Sequence, residues 1–209
     1  MAISSPTIQR SFVELNLRAN PFGERDRAER AELAIVELGD LPDQLRQPHT
    51  AVQFMGQHGR GKSTHLIALH GYFPQSPYVQ LHRGDALPAL GPGIHFIDSI
   101  EMLGRSQRRQ ALRNASSLAL TTHKDLRKDL QKCGFHVITR HITQRSPQHL
   151  FRIFSRRLNA ARYKPGPIPN LTLEQIMQLQ AIHGDDIRAM EFDLYLYFQH
   201  LKDEDHTHV

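Results

Sequence analysis

The sequence predicts an α/β protein: a five-stranded parallel sheet flanked by helices, with a small helical segment at its C-terminal end. Three observations predict it. Short apolar runs alternate with helical stretches between residues 50 and 163. A glycine-rich loop, Gly56–Ser63, stands between the first of those runs and a helix. Finally, "YKPGPIPN" (163–170) packs three prolines and a glycine into eight residues before a purely helical end.

The elements follow in order. Residues 1–45 read as an N-terminal arm, in which the turn signal Asn20-Pro21 leads into a charged, alanine-rich helix that Gly39 can cap. "TAVQFMG" (50–56) is a buried strand ending in glycine. "KSTHLIALHGYF" (62–73) carries Leu66, Ile67, Leu69, His70 and Phe73 at helical spacing, and Pro74 and Pro77 close it. Further strands are expected at "YVQLHRG" (78–84), "IHFIDS" (94–99), "SSLALTT" (116–122) and "GFHVITRHI" (134–142). "RSQRRQALRNA", "KDLRKDLQKCG" and an arginine-rich stretch, 147–163, are helical. The chain thus divides into an arm (1–45), a core (46–162), and a linker with two helices broken at His183-Gly184 (163–209). In the last helix Ile187, Met190, Leu194, Tyr197 and Leu201 recur at spacings of 3 and 4. Such a stripe is either a core-packed face or a partner seam.

Bulk properties set limits. Hydrophobic content of 39% and charged content of 22% suit a soluble globular chain. No apolar run approaches the roughly 18 residues of a membrane helix, and "MAISSPTIQRSFVEL" lacks the layout of a signal peptide. Cys133 is the only cysteine, which excludes an intrachain disulfide and fits a reducing compartment. A cytoplasmic location is expected. The net charge of +5 permits attraction to polyanions. Fourteen histidines occur, none with the spacing of a metal site; His206 and His208 read as a solvated tail.

The loop Gly56-Gln57-His58-Gly59-Arg60-Gly61-Lys62-Ser63 fits G-x-x-x-x-G-K-[ST] throughout. At ordinary residue usage the four fixed positions coincide at on the order of 4 in 100,000 starts, under about 1% for a chain this long. Strand and helix flank it as a phosphate-binding loop requires. Gly56, Gly59 and Gly61 let successive N–H groups converge on an anion, and the following helix adds its positive end. Lys62 can reach β- and γ-phosphate oxygens, the Ser63 hydroxyl can ligate Mg²⁺, and Thr64 caps the helix or contacts the α-phosphate. His58 and Arg60 complete the loop. Such a loop needs a metal-supporting acid on a neighbouring strand; Asp98, ending the apolar run of "IHFIDS", supplies it.

On these residues the chain resembles the P-loop NTPases of the additional-strand class, and most of all AAA+ ATPases. Three more stretches carry the likeness, which spans roughly residues 18–200. "SLALTTH" matches the strand that in the family lies between those of the two Walker motifs, which implies that Thr122 or His123 senses the γ-phosphate. "HGDDIRAMEFDL" is similar to the start of the AAA+ lid helix, making Arg188 its nucleotide-touching arginine. "ANPF" is similar to a segment that lines the adenine pocket in some members, through Phe22. "TTHKDL" also looks like the switch-histidine segment of ABC ATPases, with His123 in that place. The resemblance implies ATP and Mg²⁺ as cofactors, Lys62, Asp98, Thr122, His123, Arg188 and Glu101 as catalytic candidates, and a protein partner or homo-oligomer.

The chain departs from the family in two places. Ser99 stands where these proteins carry an acid after the Walker B aspartate, and Ser99 cannot act as a base near neutral pH; Glu101 and Asp85 are the remaining acids. "DALPALGPG" also replaces a helix between the second and third strands. Arg105, Arg109 and Arg113 share a helix face beside Arg108, and Arg152, Arg156 and Arg157 form a second group. They read as a solvated surface, as non-specific contacts to nucleic acid, or as an arginine finger. Four functions stay open: an AAA+-like ATPase, an ATP-binding switch without turnover, a small-molecule kinase, and a nucleic-acid accessory protein.

Overall fold

Asp26 stands three residues before Glu29, and in the computed structural model, which describes residues 12–87 and 89–203, the pair closes a capping box on α1 (Arg27–Glu32). The Asp26 carboxylate accepts from the Glu29 amide at 2.8 Å, and the Glu29 carboxylate from the Asp26 amide at 3.1 Å. The single helix expected to run to Gly39 is a shorter one. α1 ends at Leu33, the stretch through Ile35 and Val36 is non-helical, and α2 (Leu41–Arg46) begins beyond Gly39. Ile35 and Val36 are half-buried in that stretch, and two successive β-branched residues favour extended over helical backbone.

β1 (Thr50–Met55) and α3 (Lys62–His70) flank the glycine loop, as the sequence predicts. β2 (Tyr78–Gln80) is less than half the length expected, and no helix links it to β3 (Ile94–Asp98) among the described residues. A 3₁₀ turn, Ile100–Met102, follows β3 and leads to α4 (Arg105–Leu112). β4 (Ser117–Thr122), α5 (Arg127–Lys132) and β5 (His136–His141) complete the alternation. All five strands are parallel, in the order β2-β3-β4-β1-β5. β4 therefore lies between β1 and β3.

Period-two alternation divides the sheet's side chains between two faces. On one face Val52, Phe54, Phe96 and Ala119 pack with Leu66 and Leu69 of α3 and with Leu41 and Leu45 of α2. On the other, Ala51, Ile97, Leu118, Leu120 and Val137 pack with Leu112 of α4 and Leu130 of α5. Both faces are covered, as an all-parallel sheet requires.

A second unit consists of α6 (Pro147–Ala160), α7 (Leu173–His183) and α8 (Ile187–Asp203) with the segment before Arg25. The chain divides at Arg25/Asp26 and Gln144/Arg145. The reason is packing. Leu150, Phe154 and Leu158 of α6 share one core with Leu17, Phe22, Ile176, Met190, Leu194 and Phe198. The proline-rich stretch is pinned inside this unit, because the Asn16 side-chain amide donates to the carbonyls of Lys164 and Pro167, each at 3.0 Å. The buried stripe of α8 runs through Phe198 in place of Tyr197, which is 39% exposed. His206, His208 and residues 1–11 lie outside the described residues.

Phe54 is fully buried at the centre of the sheet. Phe54→Ala should cost about 3–5 kcal/mol of stability, measurable as a lower urea midpoint at unchanged slope.

Candidate phosphate-binding site

The loop's geometry follows from its glycines. Gly59 and Gly61 sit at φ 74° and 86°, in the left-handed region, and Gly61 is the residue from which α3 starts. At Gly56 space decides: a Cβ there would come within 2.7 Å of the Ile142 carbonyl oxygen. The chain leaves β1 through this gap, with the Gly56 amide donating to the Thr122 carbonyl at 3.3 Å.

Lys62 and Ser63 open α3, with Thr64 half-buried in the same turn. The buried Lys62 ammonium donates to the Gln57 carbonyl at 2.7 Å and lies 3.4 Å from His123 Nδ1. Its charge thus sits beneath the curl of the loop. The Ser63 hydroxyl donates to Asp98 Oδ1 at 3.0 Å. Asp98 is 3% exposed and is held by two more hydroxyls: Thr121 donates to Oδ1 at 2.5 Å and Tyr78 to Oδ2 at 3.2 Å. Burial and the neighbouring Asp98 charge push the Tyr78 phenol well above its ordinary range, so it stays a donor. The Arg27 guanidinium stacks on the same ring, 4.7 Å from its centroid.

Sheet alternation explains which threonine takes part. Thr121 follows Ala119 on the α3 face, where Ser63 and Asp98 stand. Thr122 follows Leu120 on the opposite face, and its hydroxyl bonds the Lys124 backbone, donating to the carbonyl at 2.8 Å and accepting from the amide at 3.1 Å. The structure therefore does not bring Thr122 to the Asp98 cluster. Thr121 and Tyr78 were not singled out as site residues from the sequence. The signal for Thr121 was present in its parity with Asp98, but reading it requires knowing the strand register.

His123 and Glu101 do join the cluster. His123 Nε2 lies 3.1 Å from Glu101 Oε1, and the His58 and His123 rings are 3.8 Å apart, centre to centre. Burial, then the Lys62 and His58 charges, lower the His123 pKa below 6.5, against a smaller opposing effect of the Gly56 backbone. Burial raises the Glu101 pKa above 4.5, the nearby Asp98 charge adds to that, and the residue's own backbone amide, Lys62 and His58 offset part of it. Ser99 adopts φ 65°, and its amide donates to Thr121 Oγ1 at 2.7 Å. Asp85 turns back on its own loop, accepting from the His82 amide at 2.7 Å.

The other predicted residues lie elsewhere. Arg60 is half-buried in the loop. Phe22 belongs to the helical unit, where its ring packs edge-on against Phe154 at 5.8 Å and beside Phe198 at 5.5 Å. Arg188 is exposed in the first turn of α8, its amide donating to the capping Asp186 carboxylate at 3.0 Å. The arginine face of α4 converges on one acid: Arg105, Arg109 and Arg108 lie 2.8, 3.6 and 3.7 Å from Asp129, whose pKa the Arg105 hydrogen bond chiefly lowers.

No group of three or more His, Cys, Asp and Glu side chains is placed to hold a metal among the described residues. The donor set that remains, one carboxylate and one hydroxyl sharing a 3.0 Å contact, fits Mg²⁺, which takes few protein ligands and fills its shell with water and phosphate oxygens. No described helix is long and apolar enough to cross a membrane.

No protein-family model matches the chain, and no curated protein does either. Among solved structures it is similar to NtrX from Brucella abortus in complex with ADP: 14% identity over 87% of this chain and 56% of that one, TM-score 0.52. A second NtrX structure from that organism gives 13% identity, 90% and 53% coverage, and a TM-score of 0.51. The chain spans little more than half the length of these proteins. The RuvB Holliday junction branch migration motor of Thermotoga maritima, at 16% identity over 86% of this chain and 69% of that one, reaches only 0.40, too low to carry an argument. At such identities the likeness shows the fold alone, a five-stranded parallel sheet flanked by helices.

The depressed His123 pKa has a definite sign. The folded protein favours the neutral ring, so this group's contribution to stability is complete above 6.5 and is lost as pH falls below it. Glu101 acts oppositely, gaining as pH falls toward 4.5. In a histidine NMR titration His123 should titrate below the ordinary imidazole range, and Lys62→Met should move it upward.

Proposed function

We propose that the loop between β1 and α3 binds the polyphosphate of ATP with Mg²⁺, and that the chain is an AAA+-like ATPase or nucleotide-driven switch. The observation that carries this reading is the convergence of Lys62, Ser63 and Asp98 at one end of the sheet. Backbone N–H groups of the glycine curl and the start of α3 favour an anion. Lys62, now held by the Gln57 carbonyl, exchanges that partner for β- and γ-phosphate oxygens. Ser63 and Asp98 would hold Mg²⁺, which neutralises charge between the phosphates.

The position of β4 between β1 and β3 supports the additional-strand class over the small-molecule kinase reading, as does Asp85 facing its own loop. Thr121, bonded to both Asp98 and the Ser99 amide, and His123, beside Lys62, are better placed than Thr122 to register a γ-phosphate. The ADP complex of NtrX supports nucleotide as the ligand class. Arg188 keeps the nucleotide-contacting role, and the helical unit the lid role, on the resemblance alone. Phe22, enclosed by Phe154 and Phe198, is better explained as a core anchor. A switch without turnover is the second reading, favoured by Ser99 in the place of an acid. The Asp129 pairing of three arginines favours a structural role for the α4 face over nucleic-acid contact.

Lys62→Ala should weaken binding of a fluorescent ATP analogue at least tenfold while leaving the circular dichroism spectrum unchanged. Equal affinity in the two proteins would remove the basis of this reading.

A further inference from the structure

Resting on the reading of the loop as an ATP site, we propose that Glu101 is the general base for hydrolysis and that His123 is its positioning residue. The family pattern puts an acid directly after the strand aspartate, and here that place holds Ser99. The backbone compensates. Ser99 takes φ 65° and begins the 3₁₀ turn Ile100–Met102, which brings Glu101 back over the end of the sheet. There its side chain is only 11% exposed, its Oε1 lies 3.1 Å from His123 Nε2, and it feels the charges of Lys62, Asp98 and His58.

Three features suit this carboxylate to accept a proton. First, it is open to a new partner: beyond the Glu101 backbone amide, the one side chain paired with it among the described residues is His123, 3.1 Å from Oε1. Catalytic contacts of this kind commonly tighten only when substrate binds. Second, burial raises its proton affinity above that of an ordinary carboxylate. Third, its neighbour is oriented. His123 stands between the two groups, its Nδ1 3.4 Å from the Lys62 ammonium and its Nε2 3.1 Å from Glu101 Oε1. Lys62 thereby links the phosphate end of the site to the orientation of the base.

The step balances without an added reactant. The water oxygen forms a bond to the γ-phosphorus as the bond from that phosphorus to the β–γ bridging oxygen breaks. The bridging electron pair leaves with ADP. The proton of the attacking water passes to a Glu101 oxygen and then to solvent as phosphate departs.

The test uses the full chain, Mg²⁺ and ATP, with binding of a fluorescent ATP analogue and phosphate release measured in parallel. Glu101→Gln should bind ATP within about threefold of the wild type but release phosphate at least 100-fold more slowly, the scale of general-base catalysis. Glu101→Asp should recover part of the rate. His123→Asn should slow release by roughly tenfold and shift the acidic limb of the pH–rate profile, a shift that a purely structural role would not produce. Phosphate release by Glu101→Gln at the wild-type rate would overturn the proposal. So would a wild-type protein that binds ATP yet releases phosphate no faster than Lys62→Ala. A wild-type protein that does not bind ATP overturns the nucleotide reading itself, and this proposal falls with it.

Discussion

A carboxylate buried at the end of a sheet strand is costly unless hydrogen bonds replace its water, and Asp98 is such a group. Its two oxygens are held by Ser63 from the first turn of α3, by Thr121 from β4 and by Tyr78 from β2. Each donor comes from a different element, so the carboxylate fixes the mutual positions of three elements and β3 at the point where the loop opens. The constraint also runs in reverse. A carboxylate whose partners are all hydroxyls can exchange one of them for a cation without leaving a buried charge unpaired. Lys62 is similar, since its bond to the Gln57 carbonyl lies within the loop and is replaceable by a phosphate oxygen. Asp98 and Lys62 are therefore satisfied internally by partners that remain exchangeable.

The sheet order makes this arrangement possible. With β4 between β1 and β3, the Thr121 hydroxyl is interposed between the strand that leads into the loop and the strand that carries Asp98. Strand parity then sorts the polar residues at the end of β4. Thr121 faces α3 and the site, whereas Thr122, one residue on, faces the side covered by α4 and α5 and closes a local turn through Lys124. Close packing sets the loop's path on the other side, where the Ile142 carbonyl leaves no room for a side chain at Gly56.

Much of this was legible in the residues. The loop motif, its flanking strand and helix, Asp98 and the α/β alternation all follow from local signals such as glycine spacing, apolar runs and proline stops. What was not legible depends on tertiary register. The choice of Thr121 over Thr122 needs the parity of β4 against β3, and the involvement of Tyr78 needs β2 placed beside β3 so that Tyr78 pairs with Phe96. Tertiary contacts also decide the path of the proline-rich stretch. "YKPGPIPN" carries every compositional mark of a linker, yet Asn16, far away in sequence, holds its backbone. The N-terminal helix stops at Glu32, well before Gly39, and Ile35 and Val36 lie in the non-helical stretch between them.

The acid beyond Asp98 is aimed differently from one that follows the strand directly. A residue directly after a strand end is carried by the strand's own direction, so its side chain is aimed by sheet geometry alone. A residue three positions on is aimed by whatever turn intervenes. Here that turn is set by the left-handed conformation of Ser99, and a non-glycine residue holds this conformation at a cost. The Ser99 amide bond to Thr121 Oγ1, at 2.7 Å, offsets that cost and ties the turn to the hydroxyl that holds Asp98. The backbone path to Glu101 and the orientation of Asp98 therefore share one threonine.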